Sequence, residues 1–237
     1  MSKKDRRMVH TPHLDSAYEH ELTNITASVS RMSSHAERMV RDAVLAMLSR
    51  DGVLAKQVIA DDQTLDAYET DIDQLCVRLL ARRAPVGADL RMVTATLKLV
   101  TDIERIGDLA VNIVKRAGSA GAASGGGSDS VLALPDEVSA LAKAAVEEVA
   151  LTFRALRERD GALARSLRDQ DHTTDACNRA AFDRLIRIGR EKPESFEPIL
   201  ALTNICRHLE RIGDHAVNIA EMVVYMVDGK VVRHRQD

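Results

Sequence analysis

The sequence contains no tryptophan, three cysteines, five prolines and twelve glycines in 237 residues, and its aromatic residues amount to 3%. A β-sandwich or barrel needs a turn about every ten residues, and glycine and proline are too scarce here to supply them. With so few aromatics, any core must be built from Leu, Ile, Val, Ala and Met, a set that favours helices. Cys76, Cys177 and Cys206 show no Cys-x-x-Cys spacing. That argues against a disulfide framework or a thiolate metal site and fits small apolar residues kept reduced in the cytosol. No run of 18 apolar residues occurs: the best candidate, 216–227, is interrupted by Asn218 and Glu221, so a soluble protein is expected. Charge of one sign is also lacking, with 33 Lys plus Arg against 36 Asp plus Glu and a formal net charge of -3, which argues against a general nucleic-acid binder. Lys3, Lys4, Arg6 and Arg7 precede no apolar run and read as a basic tail, not a secretory leader.

What is present is ordinary globular usage, 45% hydrophobic and 29% charged residues. Helical periodicity fills 14–50, 53–83 and 87–117, broken at Asp51-Gly52 and at Pro85-Val86-Gly87. It returns over 135–159, 161–190 and 195–228, broken near Asp160-Gly161 and Lys192-Pro193. Between the two sets, residues 118–130 are Gly, Ser and Ala apart from a single Asp, and read as a flexible linker. The expected organisation is a basic tail over 1–13, a first repeat over 14–117, the linker over 118–130 and a second repeat over 131–237. Each repeat carries three helices, and connections of a few residues make consecutive helices antiparallel neighbours. The fold class expected is all-α, two tandem three-helix bundles.

The halves share sequence as well as pattern. Glu104-Arg-Ile-Gly-Asp-Leu-Ala-Val-Asn-Ile113 and Glu210-Arg-Ile-Gly-Asp-His-Ala-Val-Asn-Ile219 differ only at Leu109 against His215, the signature of an internal repeat. In each, a Glu and an Asp four residues apart share one helix face beside the apolar arc: Glu104 with Asp108, and Glu210 with Asp214. The second helices carry matching pairs, Asp62 with Asp66 and Asp171 with Asp175. The first line continues through Glu69 and Asp73, which become Asn178 and Phe182 in the second half; the third-helix line gains Glu221 where the first half has Lys115. Like charges at this spacing cost a few tenths of a kcal/mol per pair, so four carboxylates at one helix seam call for a cation. A single such pair commonly marks a solvated face, and the recurrence in both halves argues for more. Gly107 and Gly213 sit mid-helix between the apolar arc and the carboxylates, where Gly costs about 1 kcal/mol relative to Ala but permits close approach; tight packing without a metal also accounts for them. If the carboxylates converge, the donors are oxygen only, with Asn112 and Asn218 one turn further on. Such a site suits Mg²⁺, Mn²⁺, Ca²⁺ or iron better than structural zinc, and it would lie at the bundle surface.

The duplicated motif, the preceding Pro85-Val-Gly-Ala-Asp-Leu-Arg91 and the closing Tyr225-Met-Val-Asp-Gly229 resemble the PhoU family of phosphate-transport regulators over nearly the whole chain, about 14–234. The resemblance implies two three-helix bundles with surface, multinuclear metal clusters of iron, zinc or magnesium. By position these would be held by Asp62, Asp66, Glu104 and Asp108 in the first half, and by Asp171, Asp175, Glu210 and Asp214 in the second. It also implies a cytoplasmic, dimeric, non-enzymatic adaptor. In that role the protein couples the ATPase subunit of the high-affinity phosphate ABC transporter to a sensor histidine kinase and keeps the phosphate-starvation response off, with peripheral membrane association only and no nucleic acid. The sequence departs from its own repeat where Asp102 becomes His208, so the two sites should differ if that Asp supports a cluster. His208 reads as a satisfied surface or packing residue and His215 as structural. Arg105 and Arg211 could offer phosphate a guanidinium, but a salt bridge to a neighbouring helix is the commoner fate of such residues.

Enzymatic functions compete with this reading. A di-iron oxidase needs Glu-x-x-His on inward-facing helices, and no Glu here has His three residues later. A metal-dependent phosphohydrolase and an accessory protein of a different phosphate or ion carrier remain the competing functions.

Overall fold

The computed structural model describes residues 12–123 and 133–229, with side chains over 16–118 and 133–229. Six long helices follow one another among the described residues: α1 (Pro12–Ser49), α2 (Gly52–Arg83), α3 (Gly87–Ala123), α4 (Asp136–Glu158), α5 (Gly161–Glu191) and α6 (Phe196–Asp228), with one 3-10 turn at Pro193–Ser195. No strand occurs among the described residues, and none of their helices is long and apolar enough to cross a membrane. The basic tail falls mostly outside the described residues, as do 124–132 of the expected linker. Helix α3 runs on through 118–123, part of what reads as linker from sequence. Ala120, Ala122 and Ala123 favour helix strongly enough to carry α3 past Gly118.

The first turn of each half is the same three residues. Arg50 and Arg159 adopt left-handed backbone, φ 56° and 52°, and stop the preceding helix. Asp51 and Asp160 then cap the next one, accepting from Val53 N and Leu54 N at 2.8 and 3.0 Å, and from Ala162 N and Leu163 N at 2.9 Å each. These turns fold α2 back along α1 and α5 back along α4. Ala84, also left-handed at φ 45°, ends α2 before Pro85 and Gly87 open α3.

Within each half all three helices pack on one another, and the halves meet through α3 against α6 and α1 against α4. Helices α3 and α6 run antiparallel. Arg91, at the start of α3, lies beside Gly229, just past the end of α6. Further along, His215 Nδ1 is 2.8 Å from Asp102 Oδ1, and Asn218 Nδ2 donates to the same oxygen at 3.4 Å. On the other seam Arg157 donates to Glu37 at 2.8 Å and Arg159 to Thr26 Oγ1 at 3.1 Å. The core is mainly aliphatic, with Ile25, Met32, Met39, Leu65, Ile72, Leu99, Ile103, Ile106, Ile113 and Leu141 fully buried and Phe153 the largest side chain among them. Cys76 and Cys206 are buried within it, and burial pushes both thiols up to about 12. They behave as the small apolar residues expected.

Candidate functional site

Each half brings its second and third helices together along an acidic seam. In the first, Asp62 and Asp66 on α2 face Glu104 and Asp108 on α3, and the electrostatics record their proximity. Burial raises the pKa of Asp62, and Asp66 and Asp108 raise it further against a lowering by Lys115. Glu104 is pushed up to about 7 by burial, then by Asp108, with Glu69 and Asp66 adding and Arg105 opposing. Glu69 belongs to the same seam: its pKa is raised by burial and by Asp73 and Asp66, while Thr101 Oγ1 donates to its Oε1 at 3.3 Å.

Arg105 serves its own helix, not a neighbouring one as expected. Its Nη1 donates to Asp108 Oδ2 at 3.0 Å and its Nε lies 3.4 Å from Glu104 Oε2. The (i, i+3) spacing makes that local closure easier than reaching across the seam. Even so, Glu104 Oε2 is buried without a hydrogen bond.

The second seam joins α5 to α6. Glu210 is raised by burial, then by Asp214 and Asp175, and is opposed by Arg207 and by a hydrogen bond from Asn178. The Asn178 Oδ1 atom is buried and unpartnered. Asp171, His172 and Asp175 offer ligand atoms all within 4.8 Å of one another. All eight sequence-predicted carboxylates lie along the two seams, but among the described residues the one trio whose ligand atoms all come within 4.8 Å is Asp171 and Asp175 with His172 on the same helix, an exposed residue that the carboxylate pattern does not single out. No trio drawn from across a seam comes as close among the described residues.

Glu148 is the residue that sequence reasoning missed. It lies on α4, 0% exposed, beneath the second seam. Thr174 Oγ1 donates to its Oε2 at 2.6 Å, and its Oε1 is buried with no partner. Burial pushes its carboxyl up to about 7; Asp171, Asp175 and Asp214 push the same way, and the Thr174 hydroxyl opposes them. A signal for it exists in the sequence. On a helical wheel Glu148 falls in line with Leu141, Ala145, Thr152 and Ala155, all buried.

The glycines work as close-approach positions. A methyl group on Gly107 would collide with Leu65 Cδ2 of α2, and one on Gly213 would stand 3.2 Å from Glu148 Oε2. Two other readings need correction. Asn218 points its amide across the interface between the halves to Asp102, away from the acidic seam, because the helical wheel fixes a residue's angle but not which neighbour occupies it. His208 is half-buried with Nδ1 unpartnered, so it is not a satisfied packing residue; burial lowers its pKa, with Arg211 and Arg116 nearby lowering it further. His215 is structural as expected, paired with Asp102.

The donor chemistry fits a hard cation. Among the described residues Asn178 Oδ1, Glu148 Oε1 and Thr152 Oγ1 are buried without a hydrogen bond, and so is Glu104 Oε2, whose one cationic neighbour is Arg105; all four lie in or beneath the seams. Buried acceptors without a hydrogen bond among like charges are costly, and a bound cation would offset both costs.

The PhoU domain family model matches residues 29–117 and 138–223, one match per bundle. The chain is 36% identical over 217 residues to a phosphate-specific transport system accessory protein PhoU homolog of Rhizobium meliloti, covering 92% of this chain and 90% of that protein. It is also 36% identical to the homolog of the same description from Pseudomonas putida over 226 residues, covering 94% and 86%. The crystal structure of PhoU from Pseudomonas aeruginosa superposes with a TM-score of 0.83 at 35% identity, covering 90% of this chain and all of that one. That of the phosphate transport system regulatory protein PhoU from Streptococcus pneumoniae gives 0.81 at 25% identity, covering 92% of this chain and all of that one. With both bundles matched and the relatives aligned over nearly their full length, the chain belongs to the PhoU family.

Proposed function

We propose that this protein is a metal-binding regulatory adaptor of phosphate transport. It docks on the ATPase subunit of a phosphate ABC transporter and on a sensor histidine kinase at the cytoplasmic face of the membrane, as a homodimer, and holds the phosphate-starvation response off when phosphate is plentiful. The transport role comes from relatives described as phosphate-transport accessory proteins. The observation carrying the metal reading is the pair of acidic seams with buried acceptor oxygens that have no hydrogen bond. Asp62, Asp66, Glu104 and Asp108 would hold a cation in the first half, and Asp171, Asp175, Glu210 and Asp214 in the second. An oxygen-rich set of this kind favours magnesium, manganese or iron over zinc. A bound ion would supply charge neutralisation, locking α2 to α3 and α5 to α6, so that the bundle faces are presented in one fixed arrangement. The protein itself performs no chemistry in this reading. Exposed Phe196 and Leu200 near the start of α6 supply apolar surface for protein contacts.

The test is capture of both partners by the tagged protein from phosphate-replete cells. Recovery of the transporter ATPase and the kinase is expected; a capture that returns neither would remove the adaptor assignment.

A further inference from the structure

The two seams are not equivalent: Glu69 and Asp73 along the first become Asn178 and Phe182 along the second, and a further difference lies beneath them. Placing the cap Asp51 opposite Asp160 brings Asp62 opposite Asp171, Asp66 opposite Asp175 and the buried positions into register. In that register Met39, Ala43 and Leu65 stand where the second half has Glu148, Thr152 and Thr174. All six are buried. In the first half Leu65 and Met39 close on Gly107 as plain apolar packing. In the second, a carboxylate and two hydroxyls fill the same space: Glu148 Oε2 lies against Gly213 and takes the Thr174 hydrogen bond, while Glu148 Oε1 and Thr152 Oγ1 have no partner.

Three coordinated exchanges of apolar for polar side chains, on two different helices, are hard to explain by packing. Isolated burial of a carboxylate is expensive, and the charges acting on Glu148, those of Asp171, Asp175 and Asp214, are all negative. The matching positions under the first seam carry no polar group. A positive charge above the buried carboxylate would offset this cost, and Oε1 is the oxygen without a hydrogen bond to meet it.

We propose that Glu148 is an additional, buried carboxylate ligand of the second-half cation site, binding through Oε1, and that the second half therefore takes up a hard divalent cation more tightly than the first. The inference rests on the metal reading of the seams. Thr174 is then a positioning residue that fixes Oε2 and so aims Oε1.

The test is titration of metal-free protein with Mn²⁺ alone, followed by the signal of free Mn²⁺ and by calorimetry, with helicity checked by circular dichroism. The wild type is expected to show two classes of site. Asp175→Asn with Asp214→Asn should abolish the tighter class, and Asp66→Asn with Asp108→Asn the weaker. Glu148→Gln keeps size and the Thr174 contact, whereas Glu148→Met with Thr152→Ala and Thr174→Leu copies the first half's own solution and so should fold. In both, the tighter class should weaken at least about tenfold toward the weaker one, leaving the other class unmoved. An unchanged tighter class in folded Glu148→Gln would overturn the proposal while leaving the metal reading intact, as would a tighter class that maps to the first half. A wild type that takes up no Mn²⁺ would remove both.

Discussion

Metal-free protein should melt at a lower temperature at pH 8 than at pH 5, and saturating Mn²⁺ at pH 8 should more than restore the loss. Glu104 and Glu148, both raised to about 7 from 4.5, keep protons in the folded state that the unfolded chain releases. A raised carboxyl contributes stability that is full below the unfolded value and is lost as pH climbs through the folded one. The window is therefore about pH 4.5 to 7, and Asp62, Glu69 and Glu210, shifted the same way, add to it. Burial is the largest cause for both, and the other members of the seams add to it, Asp108 and Asp66 around Glu104, and Asp171, Asp175 and Asp214 around Glu148. Glu21, lowered first by its hydrogen bond from Arg83, acts below this window and does not mask it. For a protein of this size the fall should be on the order of 5 °C. Mn²⁺ at one hundred times its dissociation constant contributes about 2.7 kcal/mol per site, on the order of 5–10 °C. Melting curves at the two pH values with and without Mn²⁺ check this; a pH-independent midpoint that Mn²⁺ does not move would contradict it.

The second large effect concerns how closely α2 and α3 approach. Gly107→Ala would gain about 1 kcal/mol of helix propensity, yet its methyl group must displace the fully buried Leu65, and overpacking costs about 1–3 kcal/mol. Net destabilisation is expected, together with weaker Mn²⁺ uptake by the first half, because the two carboxylate lines are forced apart. Leu65→Ala alone should cost about 2–5 kcal/mol. In the double variant the shortened side chain at position 65 leaves room for the new methyl, so the combined loss should be smaller than the sum of the two single losses, with a coupling of about 0.5–3 kcal/mol. Urea unfolding of the four proteins measures that coupling. Strict additivity would mean that the glycine does not set the helix spacing.

The sequence and the structure agree most closely where a signal is repeated. The Arg-Asp-Gly turns, the paired carboxylates and the mid-helix glycines occur in both halves, so each copy checks the other, and six helices with the seams between them follow from periodicity alone. Glu148 escaped because its signal is a mismatch between the copies: a charged residue next to Glu147 looks like surface until its register with Met39 is drawn. His172 escaped for the opposite reason, since an exposed imidazole beside Asp171 breaks no pattern. Asn218 and Arg105 show what a helical wheel cannot supply. It gives the direction of a side chain but not the distance to the partner it chooses, and here Asp102 across the halves and Asp108 on the same helix are the near ones. The extension of α3 to Ala123 reflects alanine propensity acting against a composition that otherwise reads as coil.

Cations held at the two seams are what ties the carboxylate pattern to a function. Elemental analysis of protein purified without chelator or affinity metal, set beside Glu104→Ala with Glu210→Ala, tests this directly. The wild type should carry bound metal, and the variant should lose it while circular dichroism reports the same helicity. A wild type free of metal in every preparation, or a variant that retains the full complement, would contradict it.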